Sequence, residues 1–281
     1  MALKIEVVDR VPTYPGRVKL TPVVGETNTY DLQRADSPIE EGTRINKALF
    51  DNKAYTLTES VTIYVSTSGS DVIGDGTSEA PYASVQKAID SIPKNLGGYH
   101  AQIDIANGTY NERVTVDGFM GGRLTIGAAG RTVTLRGISV MSSSGVRVQI
   151  SNLTYSANYA GTLLYADYGS DVTLLQNITF RGEGANISAI GAARGSMINA
   201  PGITVALLNF GGAAVLATSG SEIIFETVEG NSNTSVGLRS ERGAIISYVS
   251  KNLTATNGDA TSGGGRILTG SGTALANASV V

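Results

Sequence analysis

A glycine recurs about every 25 residues through the second half of the chain. These anchor glycines are Gly145, Gly169, Gly195, Gly220, Gly243 and Gly270. Their successive spacings are 24, 26, 25, 23 and 27 residues, and Gly122 precedes the first of them by 23. A short β-type run follows each glycine, without a segment of helical length. A period of roughly 20–50 residues indicates stacked repeats, and units this short without helices favour a parallel β-helix in which each repeat forms one coil.

The repeat predicts a mainly β fold, a right-handed single-stranded parallel β-helix of about seven coils over residues 61–281. Inward positions should stack in columns, and Val172, Ile198 and Ile223 each stand three residues after an anchor glycine. Corners need positive φ angles, which glycine and asparagine adopt at low cost. A β-sandwich is the alternative, which the small drift of the period disfavours. Asparagines seven to nine residues after the anchors predict a ladder, at Asn152, Asn177, Asn252 and Asn277.

Residues 81–93, PYASVQKAIDSIP, predict a helix near 84–92 that caps the first coil. Ser84 is suited to the N-cap, apolar residues recur on one face, and Pro93 ends the segment. Capping matters because an open coil exposes strand edges that favour aggregation. The following run, residues 102–116, is expected to form the first coil. The chain ends on the apolar run ALANASVV without a comparable cap, so we expect neighbouring subunits to cover that end.

The first hundred residues differ in composition from the rest. They carry 23 charged residues, whereas the remaining 181 residues carry 22. Residues 4–8, 17–24 and 27–33 predict short strands, and Ile45, Ala48 and Leu49 recur at helical spacing. The sequence therefore predicts two domains, a small α+β N-terminal module over residues 1–60 and the β-helix over residues 61–281.

Cysteine is absent, and the chain has one histidine, His100. The missing cysteines exclude disulfides, thiolate metal sites and cysteine nucleophiles, and the loop Asp71–Gly76 lacks two of the oxygen ligands of a calcium loop, so we expect no metal and no cofactor. A net charge of −3 gives no electrostatic reason to bind nucleic acid. The first residues lack the apolar region of a signal peptide, and no apolar run reaches membrane-spanning length. We therefore expect no export signal and no membrane insertion.

Residues 64–116 run from YVSTSGSDVIGDGTSEAPYASVQKAIDSIP to IDIANGTYNERVTV. This run resembles the first coils of pectin-lyase-like β-helices, and of pectin methylesterases in particular. In that esterase family the chemistry lies in later coils, in motifs resembling Gln-Asp-Thr and Asp-Phe-Ile-Phe-Gly together with an arginine. The nearest stretch of this chain begins at Glu222 and has no aspartate in the matching place. The resemblance therefore implies the scaffold without the esterase activity.

Residues 1–52, with the run DSPIEEGTRINKALFD, resemble the N-terminal segment of tail fibre or tail spike proteins from phages and phage-derived contractile particles. The resemblance implies attachment to a tail or baseplate protein through this segment. It also implies a distal β-helix that forms a homotrimer and meets the host surface, with a surface polysaccharide among the expected partners. Such proteins assemble in the host cytoplasm and reside in the virion tail, which agrees with the missing signal peptide.

Two acidic residues are the catalytic candidates if the protein is an enzyme. A glycosidase or lyase on a β-helix needs paired carboxylates, or acidic calcium ligands with a basic residue, on one exposed face. Asp171 and Glu222 each stand two residues after an anchor glycine, so we expect them two coils apart, about 10 Å on the strand spacing. That separation is at the edge of inverting geometry, and Met197 lies between them. Isolated surface acids explain both residues more simply.

Four of the five tyrosines beyond residue 110 fall in one coil, Tyr155, Tyr159, Tyr165 and Tyr168. Tyrosine offers a flat apolar face with a hydroxyl at its edge, which suits sugar rings and protein contacts alike. We expect these residues to contact a receptor or to fill the seam between subunits.

Three functions remain open from the sequence. The first is a structural and adhesive virion protein, a short trimeric tail spike or fibre. The second is a polysaccharide depolymerase on the same scaffold, and the third is a stand-alone carbohydrate-binding β-helix. The missing esterase motifs, the scarce acids and the absence of tryptophan favour the first.

Overall fold

The computed structural model describes residues 11–12, 18–22, 30–34, 38–40, 56–127, 130–143, 146–157, 161–184, 187–233, 236–270 and 279–280. The chain divides into two compact units, one spanning Leu3–Ala54 and the other comprising Met1–Ala2 with Tyr55–Val281.

The unit Leu3–Ala54 contains two antiparallel strand pairs among its described residues. Strand β1 (Val11–Pro12) pairs with β4 (Pro38–Glu40), and β2 (Val18–Pro22) pairs with β3 (Tyr30–Arg34). Strand β2 lies within the predicted strand at 17–24. The predicted strand at 4–8 and the helical pattern at Ile45, Ala48 and Leu49 lie outside the described residues. The attachment role of residues 1–60 stays a prediction.

The larger unit is a mainly β, parallel β-solenoid of at least six turns in the described residues. The predicted parallel β-helix is thereby confirmed. Each turn contributes strands to three parallel ladders, which we name the first, second and third faces. The first face is built from β5 (Val61–Val65), β6 (His100–Ile105), β8 (Gly122–Gly127), β10 (Val146–Ser151), β13 (Asp171–Gln176), the first parts of β16 (Met197–Phe210), β18 (Glu222–Asn233) and β20 (Ile245–Ala255), and β22 (Arg266–Thr269).

The second and third faces continue each turn. The second face is built from the first parts of β7 (Gly108–Asp117) and β9 (Val133–Met141), from β11 (Thr154–Ala157) and β14 (Ile178–Gly184), and from the later parts of β16, β18 and β20. The third face is built from the later parts of β7 and β9, then β12 (Gly161–Asp167), β15 (Ile187–Ala192), β17 (Val215–Ala217), β19 (Leu238–Glu241), β21 (Ala260–Ser262) and β23 (Ser279–Val280).

The core fills the inside of the turns with columns of aliphatic side chains. Val172 pairs with Ile198 and Ile198 with Ile223, and all three are fully buried, as the glycine spacing predicts. Residues on either side of each inward position point outward, because side chains alternate along a strand. Register in the solenoid therefore decides which residues reach the surface side by side.

The anchor glycines form a corner between the third and first faces. Gly169, Gly195, Gly220 and Gly243 have φ angles of 71° to 73°. Each follows a residue that also has a positive φ, and these residues are Tyr168, Arg194, Ser219 and Arg242. Gly145 lies outside the described residues, and Gly270 does not adopt a left-handed φ. The prediction of a glycine corner therefore holds for four of the six anchors.

The predicted asparagine ladder is shorter than expected. Asn152 and Asn177 have φ angles of 55° and 45°, and Nδ2 of Asn177 donates to Oδ1 of Asn152 at 2.9 Å. Asn252 instead lies within β20 opposite Glu229, and Asn277 lies outside the described residues. Two asparagines therefore form the ladder in the part of the chain that the structure describes.

Helix α1 (Val85–Asp90) follows β5 and buries Val85, Ala88 and Ile89. The N-cap Ser84 accepts a hydrogen bond from the Lys87 N–H at 3.2 Å, as predicted. Asp71 accepts from the backbone N–H groups of Ala83 and Ser84, which tie the loop after β5 to the start of α1.

Glu112, in strand β7, satisfies the first two N–H groups of α1. Its carboxylate oxygens accept from Val85 N–H at 2.7 Å and from Gln86 N–H at 3.0 Å. The substitution Glu112→Ala should lower the free energy of unfolding by about 1–2 kcal/mol, because two N–H groups of helix α1 lose a charged acceptor. Urea denaturation measures the loss, with Glu59→Ala as an exposed-glutamate control that should change stability by less than about 0.5 kcal/mol. Equal effects of the two variants would contradict the capping role.

Candidate binding surface

One outward column lies at the start of the first-face strands. Residues in register along it are His100, Arg123, Arg147, Asp171, Met197 and Glu222. Asp171 and Glu222 share this column two turns apart, with Met197 between them, as the glycine spacing predicts. At about 4.8 Å per turn their strands are about 10 Å apart. Both carboxylates are half-buried.

A shallow cavity of about 340 Å³ opens beside the residues Arg123, Arg147 and Asp171 of this column. It is lined by Gly122, Arg123, Val146, Arg147 and Asp171. Burial raises the pKa of Asp171, and the Arg147 charge partly opposes that rise. The cavity therefore presents two guanidinium groups beside a carboxyl group that holds its proton more strongly than an ordinary aspartate.

A second outward column, which we call the polar column, lies two residues further along the same strands. It consists of Thr62, Gln102, Thr125, Gln149, Thr173 and Asn199. Hydroxyl and amide side chains alternate along it, one per turn. All of them are at least partly exposed, whereas their sequence neighbours point into the core. The first face therefore offers donors and acceptors at regular intervals.

Hydrogen bonds join the two columns in a fixed direction. Arginine can only donate, so Arg123 donates to Nδ1 of His100, with 3.2 Å between the nitrogens. Nε2 of His100 then carries the proton and donates to Oγ1 of Thr125 at 2.8 Å. Thr125 in turn donates to Oε1 of Gln149 at 3.3 Å. The neutral form of His100 is the one that this chain of bonds requires.

Acidification should break this chain. Burial and the Arg123 charge both lower the pKa of His100 below its usual 6.5. The contribution of His100 to stability is therefore full above about pH 6.5 and is lost as the pH falls through the lower folded-state pKa. Thermal unfolding at pH 7.5 and 5.5 should show a drop for the wild type that His100→Gln reduces. Since His100 is the single histidine, an identical drop in the variant would contradict this account.

The tyrosines predicted to contact a receptor or a seam separate into different environments. Tyr155 is completely buried and stacks on Phe180, with ring centroids 4.7 Å apart and an interplanar angle of 8°. Its side chain points inward from strand β11, so its ring is not available for contact with a receptor or a neighbouring subunit. Tyr159 lies outside the described residues. Tyr165 and Tyr168 reach the surface, and Tyr168 is 54% exposed.

Tyr165 and Tyr168 lie beside an ion pair between the buried Asp167 and Arg194, whose side chain is 52% exposed. Asp167 is 1% exposed. Its carboxylate accepts a hydrogen bond from Nε of Arg194 at 2.8 Å and a second hydrogen bond from the same guanidinium. Burial alone would raise the pKa of Asp167, but the Arg194 bonds and the Tyr168 N–H hold it below the ordinary value. The Arg194 guanidinium lies 3.9 Å from the centre of the Tyr168 ring.

Sequence reasoning missed the polar column, the two arginines of the cavity and the Asp167–Arg194 pair. Their members are 23 to 40 residues apart, so they meet only through the register of the turns. Alternation around the inward columns was the one signal that points to them. In the ranges that the structure describes, no helix is long and apolar enough to cross a membrane. No protein-family model, curated protein or solved structure matches this chain.

Proposed function

We propose that this protein is a structural and adhesive component of a virion, a short trimeric tail spike or fibre. Residues 1–60 attach it to the tail or baseplate, and the solenoid contacts a polysaccharide of the host surface. The parallel β-solenoid supports this function because stacked turns provide a rigid surface with a regular repeat. The polar column on the first face is the observation that carries the proposal.

The polar column has the spacing and chemistry to bind an extended hydroxylated polymer. Each step is about 4.8 Å, so like groups recur every two turns, or about 10 Å. Threonine hydroxyls donate and accept, and glutamine and asparagine amides do both through separate atoms. A linear polysaccharide that runs along the solenoid axis presents hydroxyl groups at a comparably regular interval. The column then binds without a reacting group.

The finer architecture belongs to the same proposal. The turns wind in the right-handed sense that parallel crossovers favour. Helix α1 covers the first coil, and neighbouring subunits of the trimer cover the last one. These features protect the strand edges that a solenoid leaves open.

A depolymerase on this scaffold is the second proposal, and the raised pKa of Asp171 favours it. A carboxyl group with a raised pKa holds its proton to higher pH than an ordinary aspartate does, which suits a general acid. Glu222, two turns away, would then be the base, at the upper limit of the separation for inverting enzymes. Met197 lies between the two acids in the column.

Titration with purified bacterial surface polysaccharides, followed by an assay for new reducing or unsaturated ends, tests both proposals. The adhesive function predicts saturable binding without new ends, and about tenfold weaker binding for Gln149→Leu. Thr179→Val on the second face is the matched control and should bind as the wild type does. Turnover that Asp171→Asn abolishes would overturn the adhesive function in favour of the enzyme. Sedimentation mass tests the trimer, which a stable monomer would contradict.

A further inference from the structure

Tyr165, Tyr168 and Arg194 form one surface at the corner between the third and first faces, which we call the aromatic platform. Tyr165 stands in register with Gly191 of the next turn. A Cβ atom on Gly191 would come within 3.0 Å of Cδ2 of Tyr165. The Tyr165 ring therefore lies against the backbone of the next turn, in space that the glycine leaves open.

Tyr168 occupies the platform in a strained conformation. Its φ is 53°, in the left-handed region that L-residues with bulky side chains avoid. The equivalent corner positions hold Arg194, Ser219 and Arg242, with φ angles of 48° to 56°, so the left-handed φ belongs to the corner and the aromatic side chain does not. Glycine would fit the same position without strain. The strained side chain is also 54% exposed, so burial of the ring does not offset the strain. The corner therefore does not require an aromatic side chain here, and an exposed ring that the fold does not need is available to a partner.

The buried Asp167 holds the platform in one arrangement. Its carboxylate binds Arg194 through two bonds and accepts the N–H of Tyr168 at 2.9 Å. Burial and then the nearby Asp167 charge raise the pKa of Tyr165, so the same carboxylate also faces the Tyr165 hydroxyl. Arg194 lies against the Tyr168 ring. All three platform side chains are thus positioned by contacts within the chain, before any partner binds.

We propose that the aromatic platform binds a single pyranose ring of the host-surface polysaccharide, an inference that rests on the proposed adhesive function. The apolar C–H face of a sugar packs against a tyrosine ring, and its hydroxyl groups accept from the Arg194 guanidinium at the rim. Preorganisation lowers the entropy cost of binding. Tyr168 precedes Asp171 of the first face by three residues, so the platform continues the surface that carries the polar column. A polymer chain can therefore engage both.

Tyr168→Gly is the decisive variant. Glycine adopts the left-handed corner freely, so the melting temperature should stay at or above that of the wild type. Affinity for the same purified bacterial polysaccharides should fall about tenfold, because the stacking surface is removed; a tenfold change corresponds to about 1.4 kcal/mol. Tyr168→Phe keeps the ring and should retain the affinity. Tyr99→Ala, which removes a tyrosine that is 43% exposed elsewhere, is the matched control and should change nothing.

Tyrosine fluorescence gives a second readout, since the chain has no tryptophan. Polysaccharide addition should change the emission of the wild type and of Tyr99→Ala, and should change that of Tyr168→Gly less. Undiminished affinity in Tyr168→Gly would overturn the platform while leaving the adhesive function intact. A loss of trimer mass in that variant without a loss of affinity would overturn it too, because the platform would then be a subunit seam. Absence of binding by the wild type to every polysaccharide tested would overturn the adhesive function and the platform together.

Discussion

Gly230→Ala is expected to prevent folding or to lower the free energy of unfolding by more than about 4 kcal/mol. A Cβ atom at Gly230 would lie 1.8 Å from the carbonyl oxygen of Leu207 and 2.7 Å from its carbonyl carbon. Leu207 is fully buried and pairs directly with Gly230 between β16 and β18. The clash is with backbone, so it can be relieved only by separating two strands of the solenoid.

Gly220→Ala is the control for this substitution. Gly220 is a corner glycine with a φ of 72°, and a Cβ atom there would meet no atom within 4 Å. The free energy of unfolding of Gly220→Ala should therefore fall only by the strain of alanine in a left-handed conformation, about 1–2 kcal/mol. Denaturant unfolding of the two variants, with circular dichroism to show whether Gly230→Ala folds, checks the contrast. Similar losses for both would show that the backbone contact at Leu207 is not the constraint.

The period of the anchor glycines was sufficient to predict the solenoid and one of its inward columns. Val172, Ile198 and Ile223 stack as expected because each follows a corner at the same distance, and the corner is fixed by positive φ. The same logic places Asp171 and Glu222 in one column. The left-handed corner fixes where each first-face strand begins, and the same corner recurs in successive turns.

The contacts between turns could not be predicted in the same way. The segment between β5 and β6, residues 66–99, departs from the 25-residue period, so the register of the first turns is not readable from spacing. The bonds among His100, Arg123 and Thr125 depend on that register. Asp167 and Arg194 are 27 residues apart, and nothing in either local sequence marks them as a pair.

The tyrosine cluster shows a second limit. Four tyrosines close together in sequence suggest one surface, but a strand sends successive side chains to opposite sides. Leu153 and Tyr155 alternate with polar neighbours and are both fully buried. That alternation predicts an inward Tyr155 once the coil is assigned to its face. Aromatic clustering along the chain is therefore a weaker guide to surface than the period-two pattern within each strand.

Tyr155→Phe is expected to stabilise the protein. Tyr155 is completely buried, burial raises its pKa, and its hydroxyl has no hydrogen-bond partner among the described residues. A buried unpaired hydroxyl costs its desolvation energy, so its removal should raise the free energy of unfolding by about 1 kcal/mol.

Tyr155→Ala should have the opposite effect, a loss of about 3–5 kcal/mol, because it leaves a cavity against Phe180 and Leu135. Denaturant unfolding of both variants measures the two changes. The pair separates a core role from a surface one, since a tyrosine at a receptor or subunit contact would lose little stability on truncation to alanine. A destabilised Tyr155→Phe would reveal a partner for the hydroxyl and contradict its being unpaired, whereas a harmless Tyr155→Ala would contradict the stacking of Tyr155 on Phe180 within the core.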